Sequence, residues 1–172
     1  MTERLKKLIR DVPDFPVKGI VFKDIMPLFQ DPEGLRMTLE LMGTAFPRGS
    51  FDAVAGIESR GFFFAPAIAH HHGVGFVPIR KAGKLPYKVV TDQYKNEYGE
   101  GTVEMHEDAV KAGDRVVIVD DVLATGGTAQ TACRLVEKLG ARVEGLLFLI
   151  ELTFLDGRKV LPGYDVRSII TY

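Results

Sequence analysis

The chain has 172 residues, a formal net charge of −1, 46% apolar and 26% charged residues. That length suits one domain with a full core, and the balanced charge argues against a general nucleic-acid or membrane-surface role, so any basic site must be local. The single cysteine, Cys133, cannot form an intrachain disulfide, and the charged, amphipathic N-terminus lacks the apolar stretch of a signal peptide. Both fit a cytoplasmic protein, and no segment approaches transmembrane length.

In chain order, Thr2 can cap a first helix reaching to about Asp11. Pro13 and Pro16 break it and leave an extended stretch through Phe15 to Asp24. Asp31 followed by Pro32 is a helix start, with Leu35, Leu39, Met42 and Phe46 as the buried stripe. Ala53 to Ile57 reads as a short strand, Glu58 to Gly61 as a turn, and Phe62 to His72 as a helix with Pro66 in its first turn. Gly75 to Ile79, Val116 to Val119 and Val143 to Ile150 read as further strands. Strands alternating with helices imply an α/β fold with a mostly parallel sheet. Between Lys84 and His106 the chain is polar and alternating, with Gly99 and Gly101 near the middle, and reads as an exposed hairpin. An insertion of this kind is usually functional, often a lid.

The segment from Val116 to Thr128 carries the most chemistry. Four β-branched residues end in Asp120 and Asp121, and a loop of small residues leads into a helix with Ala132, Leu135, Val136 and Leu139 on one face. Thr125, Gly126, Gly127 and Thr128 can bring backbone N–H groups close to an anion, and the helix start adds a partial positive charge. No lysine lies between Ala124 and Thr128, so this is not a Walker loop, nor is it the dinucleotide glycine pattern. Ionised carboxylates only accept hydrogen bonds, so the two acids suit sugar hydroxyls or a metal. A phosphorylated ribose satisfies both halves of the motif. The alternative is an acidic turn before an ordinary helix cap at Thr125 or Thr128.

Arg60 follows the strand ending at Ile57, and Arg80 and Lys81, with Lys84 nearby, follow the strand ending at Ile79. In an open α/β sheet these positions converge outside the carboxyl ends of the strands. Arginine can grip a diphosphate bidentately and lysine acts as a point charge.

The run from Val116 to Thr128 resembles the phosphoribosyl-diphosphate signature of the type I phosphoribosyltransferases. Phe15-Pro16, Gly19 to Ile25, Gly56 to Phe62, Arg80 to Pro86 and Glu97-Tyr98-Gly99 stand in the order found in the adenine phosphoribosyltransferases, and Ile150-Glu151-Leu152 is similar too. Ala82, where relatives often carry a larger or charged residue, and the three adjacent histidines depart from that pattern.

The resemblance implies a single domain over 1–172, with a small N-terminal hood over about 1–30 and a mobile hairpin over 84–106. It implies transfer of ribose 5-phosphate from phosphoribosyl diphosphate to adenine, with Mg²⁺, giving AMP and pyrophosphate. By the same carry-over, Ala124, Thr125, Gly126, Gly127 and Thr128 hold the 5-phosphate, and Asp120 and Asp121 face the ribose. Ser59, Arg60, Lys81 and Lys84 face the pyrophosphate. Val21 and Phe22, with Arg60 and Leu123, frame the base. Glu97 and Tyr98 ride on the hairpin, with Glu97 as proton carrier. The catalytic set so implied is Glu97, Arg60, Asp120 and Asp121. No permanent metal site is expected; Mg²⁺ would come with the substrate, through Asp120 or Asp121.

A homodimer is expected from the resemblance, and it would cover residues such as Phe62, Phe63 and Phe64. No nucleic-acid or membrane partner is expected. Two alternatives stay open: the same enzyme acting on xanthine, hypoxanthine or guanine, and a non-catalytic sensor of phosphoribosyl diphosphate. His70, His71 and His72 point in directions about 100° apart on a helix, which suits a helix end better than one metal ion. Cys133 reads as a small buried helix residue.

Overall fold

The computed structural model describes residues 2–96 and 99–172. They pack as two compact units, Met1–Leu41 and Met42–Tyr172.

In the first unit, α1 spans Thr2–Lys7 and buries Leu5. It stops short of Asp11 because Arg10–Pro13 (β1) pairs antiparallel with Val21–Asp24 (β2). Proline at the end of this run disfavours helix at the residue before it. Ion pairs across the ladder hold it: Arg10 to Asp24 at 2.5 Å and Lys23 to Asp11 at 2.6 Å. A short helix not foreseen from the sequence, α2 (Met26–Gln30), precedes α3 (Pro32–Gly43). The start of α3 is as expected: the Asp31 carboxylate accepts the Gly34 N–H at 2.7 Å. Its buried face is shifted from the expected stripe. Gly34, Met37, Thr38 and Met42 are buried, whereas Leu35 and Leu39 are half-buried. Thr38 fits inside because its hydroxyl donates to the Gly34 carbonyl at 2.8 Å.

The second unit is built on a seven-stranded sheet. Its strands are β3 (Ala53–Ile57), β4 (Gly75–Lys81), β5 (Val89–Asn96), β6 (Gly99–His106), β7 (Arg115–Leu123), β8 (Arg142–Glu151) and β9 (Val166–Thr171), in the order β5-β6-β4-β3-β7-β8-β9. The five strands from β4 to β9 run parallel, and β5 and β6 add an antiparallel hairpin at one edge. Every residue of β3 is buried, as are Val116 to Val119 and Gly145 to Glu151, the continuous pattern of a sheet covered on both faces.

Helix α4 covers Ala65–His72, starting later than Phe62 because Pro66 is tolerated only in the first turn. Residues Arg60–Phe63 form a 3-10 turn instead. Helix α5 covers Gly127–Lys138 and buries Ala132, Cys133, Leu135 and Val136 against the sheet. Strand β7 runs past Val119 to Leu123, because Asp120, Val122 and Leu123 continue the ladder opposite Phe148, Ile150 and Glu151 of β8. None of the helices among the described residues is long and apolar enough to cross a membrane.

Candidate active site at the β3–β7 switch point

From β3 the chain moves outward through β4 and the β5–β6 hairpin, then returns to the other side of β3 as β7. The direction of winding therefore reverses between β3 and β7. A crevice opens at such a point outside the carboxyl ends of the strands. The turn from Glu58 to Phe63 follows β3, and the loop from Ala124 to Gly126 follows β7, so both expected halves of the site meet at this edge. The turn lies directly against β7. A Cβ on Gly61 would lie 2.5 Å from the Val119 carbonyl oxygen, so only glycine lets this turn lie against β7. The Glu58–Ser59 peptide at its start is cis.

Asp120 and Asp121 are consecutive residues near the end of β7, and their two carboxyls interact side chain to side chain. Asp120 is half-buried; Asp121 is buried and faces the Arg60 guanidinium, Nε to Oδ2 at 2.9 Å. Burial pushes both carboxyls above their ordinary range. The neighbouring charge of Asp121 adds to this at Asp120, whereas Arg60 opposes it at Asp121. Asp120 is thus a carboxylate that gains from a cation or hydroxyl donor arriving beside it.

The phosphate loop is shaped by a second close approach. Gly126 stands at the start of α5 in the left-handed region, φ 83°. The first-turn N–H groups of a helix have no partner within it, so this terminus offers donors and a partial positive charge to an anion. Gly127 and Thr128 already belong to the helix, and Ala124 and Thr125 form the loop proper. The turn at Gly157–Val160 supports the loop from behind. A Cβ on Gly157 would lie 2.2 Å from the Ala124 carbonyl, and one on Gly126 would lie 2.5 Å from the Gly157 carbonyl. That turn is held by Arg158, which donates to both Glu151 oxygens at 2.6 and 2.8 Å, and by Gln130, which donates to the Val160 carbonyl at 2.9 Å.

The cations beyond β4 gather on Glu58. Lys84 Nζ lies 2.5 Å from Glu58 Oε1; Arg80 Nε, at 3.3 Å, and the Lys81 N–H, at 3.0 Å, share Oε2. Burial pushes the Glu58 carboxyl up, but Lys84, the Lys81 N–H and Arg80 outweigh it and hold it below its ordinary range. The Lys81 side chain is exposed, and Ser59 is exposed at the start of the turn.

In the first unit Val21 is 49% exposed, and the half-buried Phe22 makes an edge-to-face contact with Phe15, ring centroids 5.1 Å apart. Leu123 is buried at the end of β7. Glu97 and Tyr98 lie outside the described residues; the strands that flank them pair from Val89 with His106 to Asn96 with Gly99. Among the described residues no three His, Cys, Asp or Glu side chains cluster as a metal cage.

Residues 36–158 match the model of the phosphoribosyl transferase domain. An adenine phosphoribosyltransferase from Thermoanaerobacter sp. (strain X514) is 51% identical over 170 residues, 99% of this chain and 98% of that one. The chain belongs to the phosphoribosyltransferase family. The fold agrees: the crystal structure of the adenine phosphoribosyltransferase from Thermoanaerobacter pseudethanolicus superposes with a TM-score of 0.96 over the full length of both chains, at 50% identity. So does that of the Saccharomyces cerevisiae enzyme complexed with D-2,5-dideoxy-2,5-imino-altritol 1,6-bisphosphate and adenine, with a TM-score of 0.89, 42% identity, and 98% of this chain and 97% of that chain covered.

For a phosphoribosyltransferase the sequence reading gave no role to three carboxylates that organise the site. Glu58 and Glu151 stand inside segments that carried the resemblance, so their position was visible but their partners were not. Glu104 lies in the polar hairpin stretch, where nothing in the spacing marks it. The histidines of α4 close its last turn, as expected, ahead of the left-handed Gly73. His72 Nε2 meets the Gly43 carbonyl at 2.7 Å. Cys133 is buried, and burial pushes its thiol up to about 12, so it is inert at neutral pH.

Proposed function

We propose that this protein transfers ribose 5-phosphate from phosphoribosyl diphosphate to adenine, releasing AMP and pyrophosphate in purine salvage. The observation that carries the reading is the pairing, at one switch point, of the glycine-led helix start behind Gly126 with the Asp120–Asp121 pair. The first suits the 5-phosphate and the second the ribose. The yeast relative's complex with adenine supports the choice of base.

The chemistry follows from these groups. As the bond from ribose C1 to pyrophosphate breaks, positive charge develops on the sugar, and a carboxylate already fixed beside it stabilises that charge without reorganisation. Arg60, Lys81 and Lys84 face the departing pyrophosphate, with Ser59 at the turn. Adenine loses its N9 proton as the new bond forms, and Glu97 is the proposed acceptor, with Tyr98 beside it. Val21, exposed, and Phe22, half-buried, supply apolar surface suited to the flat faces of a purine. The hard oxygen donors of Asp120 or Asp121 suit Mg²⁺, and substrate oxygens and water would complete its shell. When bound, the ion neutralises charge on the diphosphate.

We further propose a cytoplasmic homodimer. The apolar surface at Phe63, 45% exposed, and Phe76, 36% exposed, supports an interface, and light scattering on the purified protein reads the mass directly.

The activity is tested by offering the protein Mg²⁺, phosphoribosyl diphosphate and adenine, hypoxanthine, guanine or xanthine in turn, with pyrophosphate release followed. Adenine alone should turn over, and Asp120→Ala and Glu97→Ala should each lower kcat/KM by about 100-fold or more. Turnover confined to a 6-oxo purine would keep the phosphoribosyl site and reject adenine. Diphosphate binding without turnover of any base would make the protein a sensor.

A further inference from the structure

The turn that follows β4 carries Lys84 and begins beside Lys81. It is exposed from Lys81 to Lys84 and again at Pro86, with Leu85 between them half-buried. Side-chain hydrogen bonds fix its shape: Arg80 Nη1 donates to the Lys84 carbonyl at 3.2 Å, and one carboxylate takes the turn's N–H groups. Glu104 stands on β6 directly opposite Arg80 and is 4% exposed. Its Oε1 accepts the Lys84 N–H at 2.9 Å and the Leu85 N–H at 2.8 Å, and its Oε2 accepts the Gly83 N–H at 3.1 Å. Three consecutive backbone donors thus converge on one carboxylate. Gly83 takes the left-handed conformation, φ 82°, that turns the chain around it. The Ala82 N–H donates to the Thr102 carbonyl at 3.0 Å and continues the pattern by one residue.

In water an exposed turn would satisfy these N–H groups with solvent, so its folding does not require a buried carboxylate. What the carboxylate adds is a single backbone shape. That shape sends the Lys84 side chain to Glu58 and leaves the Lys81 N–H on the other Glu58 oxygen.

We propose that Glu104 is a positioning residue for the diphosphate end of the substrate: through the N–H groups of Gly83, Lys84 and Leu85 it holds the turn that presents Lys84. Glu104 touches no substrate. It acts through a lysine whose role rests on the reaction proposed above.

Wild type, Glu104→Gln, Lys84→Ala and the double variant, all full length, are compared in two measurements. One is calorimetric binding of inorganic pyrophosphate with Mg²⁺. The other is KM for phosphoribosyl diphosphate and for adenine. Glutamine keeps one acceptor oxygen but loses the charge and the second acceptor. The expected result is an increase of about tenfold in the pyrophosphate Kd and in KM for phosphoribosyl diphosphate, with KM for adenine changed by less than about twofold. The double variant should match Lys84→Ala within about twofold, because the second change has nothing left to position. A rise in both KM values together, a loss in kcat alone, or additive effects in the double variant would overturn the proposal. If Glu104→Gln does not fold, Glu104→Asp keeps the charge but shortens the reach, and the same split between the two KM values is required of it. Failure of wild type to use any purine would reject the reaction, and the pyrophosphate comparison would still decide the role of Glu104.

Discussion

At the scale of single residues the site depends on places where a side chain is absent. Gly61, Gly126 and Gly157 each lie where a Cβ would meet a backbone carbonyl at 2.5 Å or less, and backbone cannot swing aside as a long side chain can. Gly157 lies outside the phosphate loop yet limits it, because its missing Cβ is the space occupied by the Ala124 carbonyl. Gly157→Ala should therefore push Ala124 to Gly126 forward into the anion's place. Overpacking of this kind costs about 1–3 kcal/mol, visible in a urea midpoint. The more specific outcome is an increase of about tenfold in KM for phosphoribosyl diphosphate with little change for adenine; equal changes in both would show that the turn supports the whole unit and not the loop. Asp120, Asp121 and the loop from Ala124 to Thr128 were legible in the sequence because their chemistry is local: a strand, two acids and two glycines in succession. Glu104, Glu151 and Gly157 were not, because their meaning lies in partners far along the chain, and for Glu104 those partners are backbone groups that no residue type announces.

At the scale of elements, the hairpin is fastened to the same helix that begins at the phosphate loop. Arg134 on α5 donates to Asp92 of β5 at 2.7 Å, to the Gln93 carbonyl at 3.0 Å and to Thr131 at 2.9 Å, while Lys138 reaches the Thr91 carbonyl at 2.9 Å. Strand β5 is the sheet edge, and polar links of this sort let an edge dock without a large apolar face. Arg134→Ala removes the centre of the fastening. Partly exposed ion pairs and their hydrogen bonds are worth about 1 kcal/mol, so the melting temperature should fall by only about 2–4 °C. Amide exchange from Val89 to Asn96 should rise far more than exchange in β3 or β7; a uniform rise would show that the hairpin has no local opening of its own. The strands of the parallel core could be read from their β-branched runs, but their ends could not. Strand β7 continues through two aspartates because β8 offers a ladder there, and α1 stops early because Arg10 to Pro13 finds β2. In both cases pairing overrode the local pattern.

At the scale of the whole molecule, the same ion pairs set how stability depends on pH. The carboxyls of Glu58, Asp92, Glu104 and Glu151 are held below their ordinary range. At Glu151 the Arg158 hydrogen bonds are the largest cause; at the other three burial opposes the shift and is outweighed by donors. Asp52 is brought to about 2 by Arg115. A group whose folded value is depressed contributes stability that is present above its unfolded value, about 4 for these carboxyls, and lost as pH falls through the folded value. Asp120 and Asp121 act in the opposite sense, since their raised values make protonation favour the folded state, but they are outnumbered. The urea midpoint should therefore hold between about pH 7 and 5 and fall steadily below about pH 4.5. Glu151→Gln tests the assignment, because Arg158 and the Ser168 hydroxyl, 2.6 Å away, both converge on that carboxylate. The variant should be less stable than wild type at pH 7 and should lose less on acidification, so that the two curves approach each other toward pH 3. Curves that stay parallel down to that pH would mean that the Glu151–Arg158 pair contributes packing alone, and that the turn behind the phosphate loop is held by its glycine contacts and not by charge.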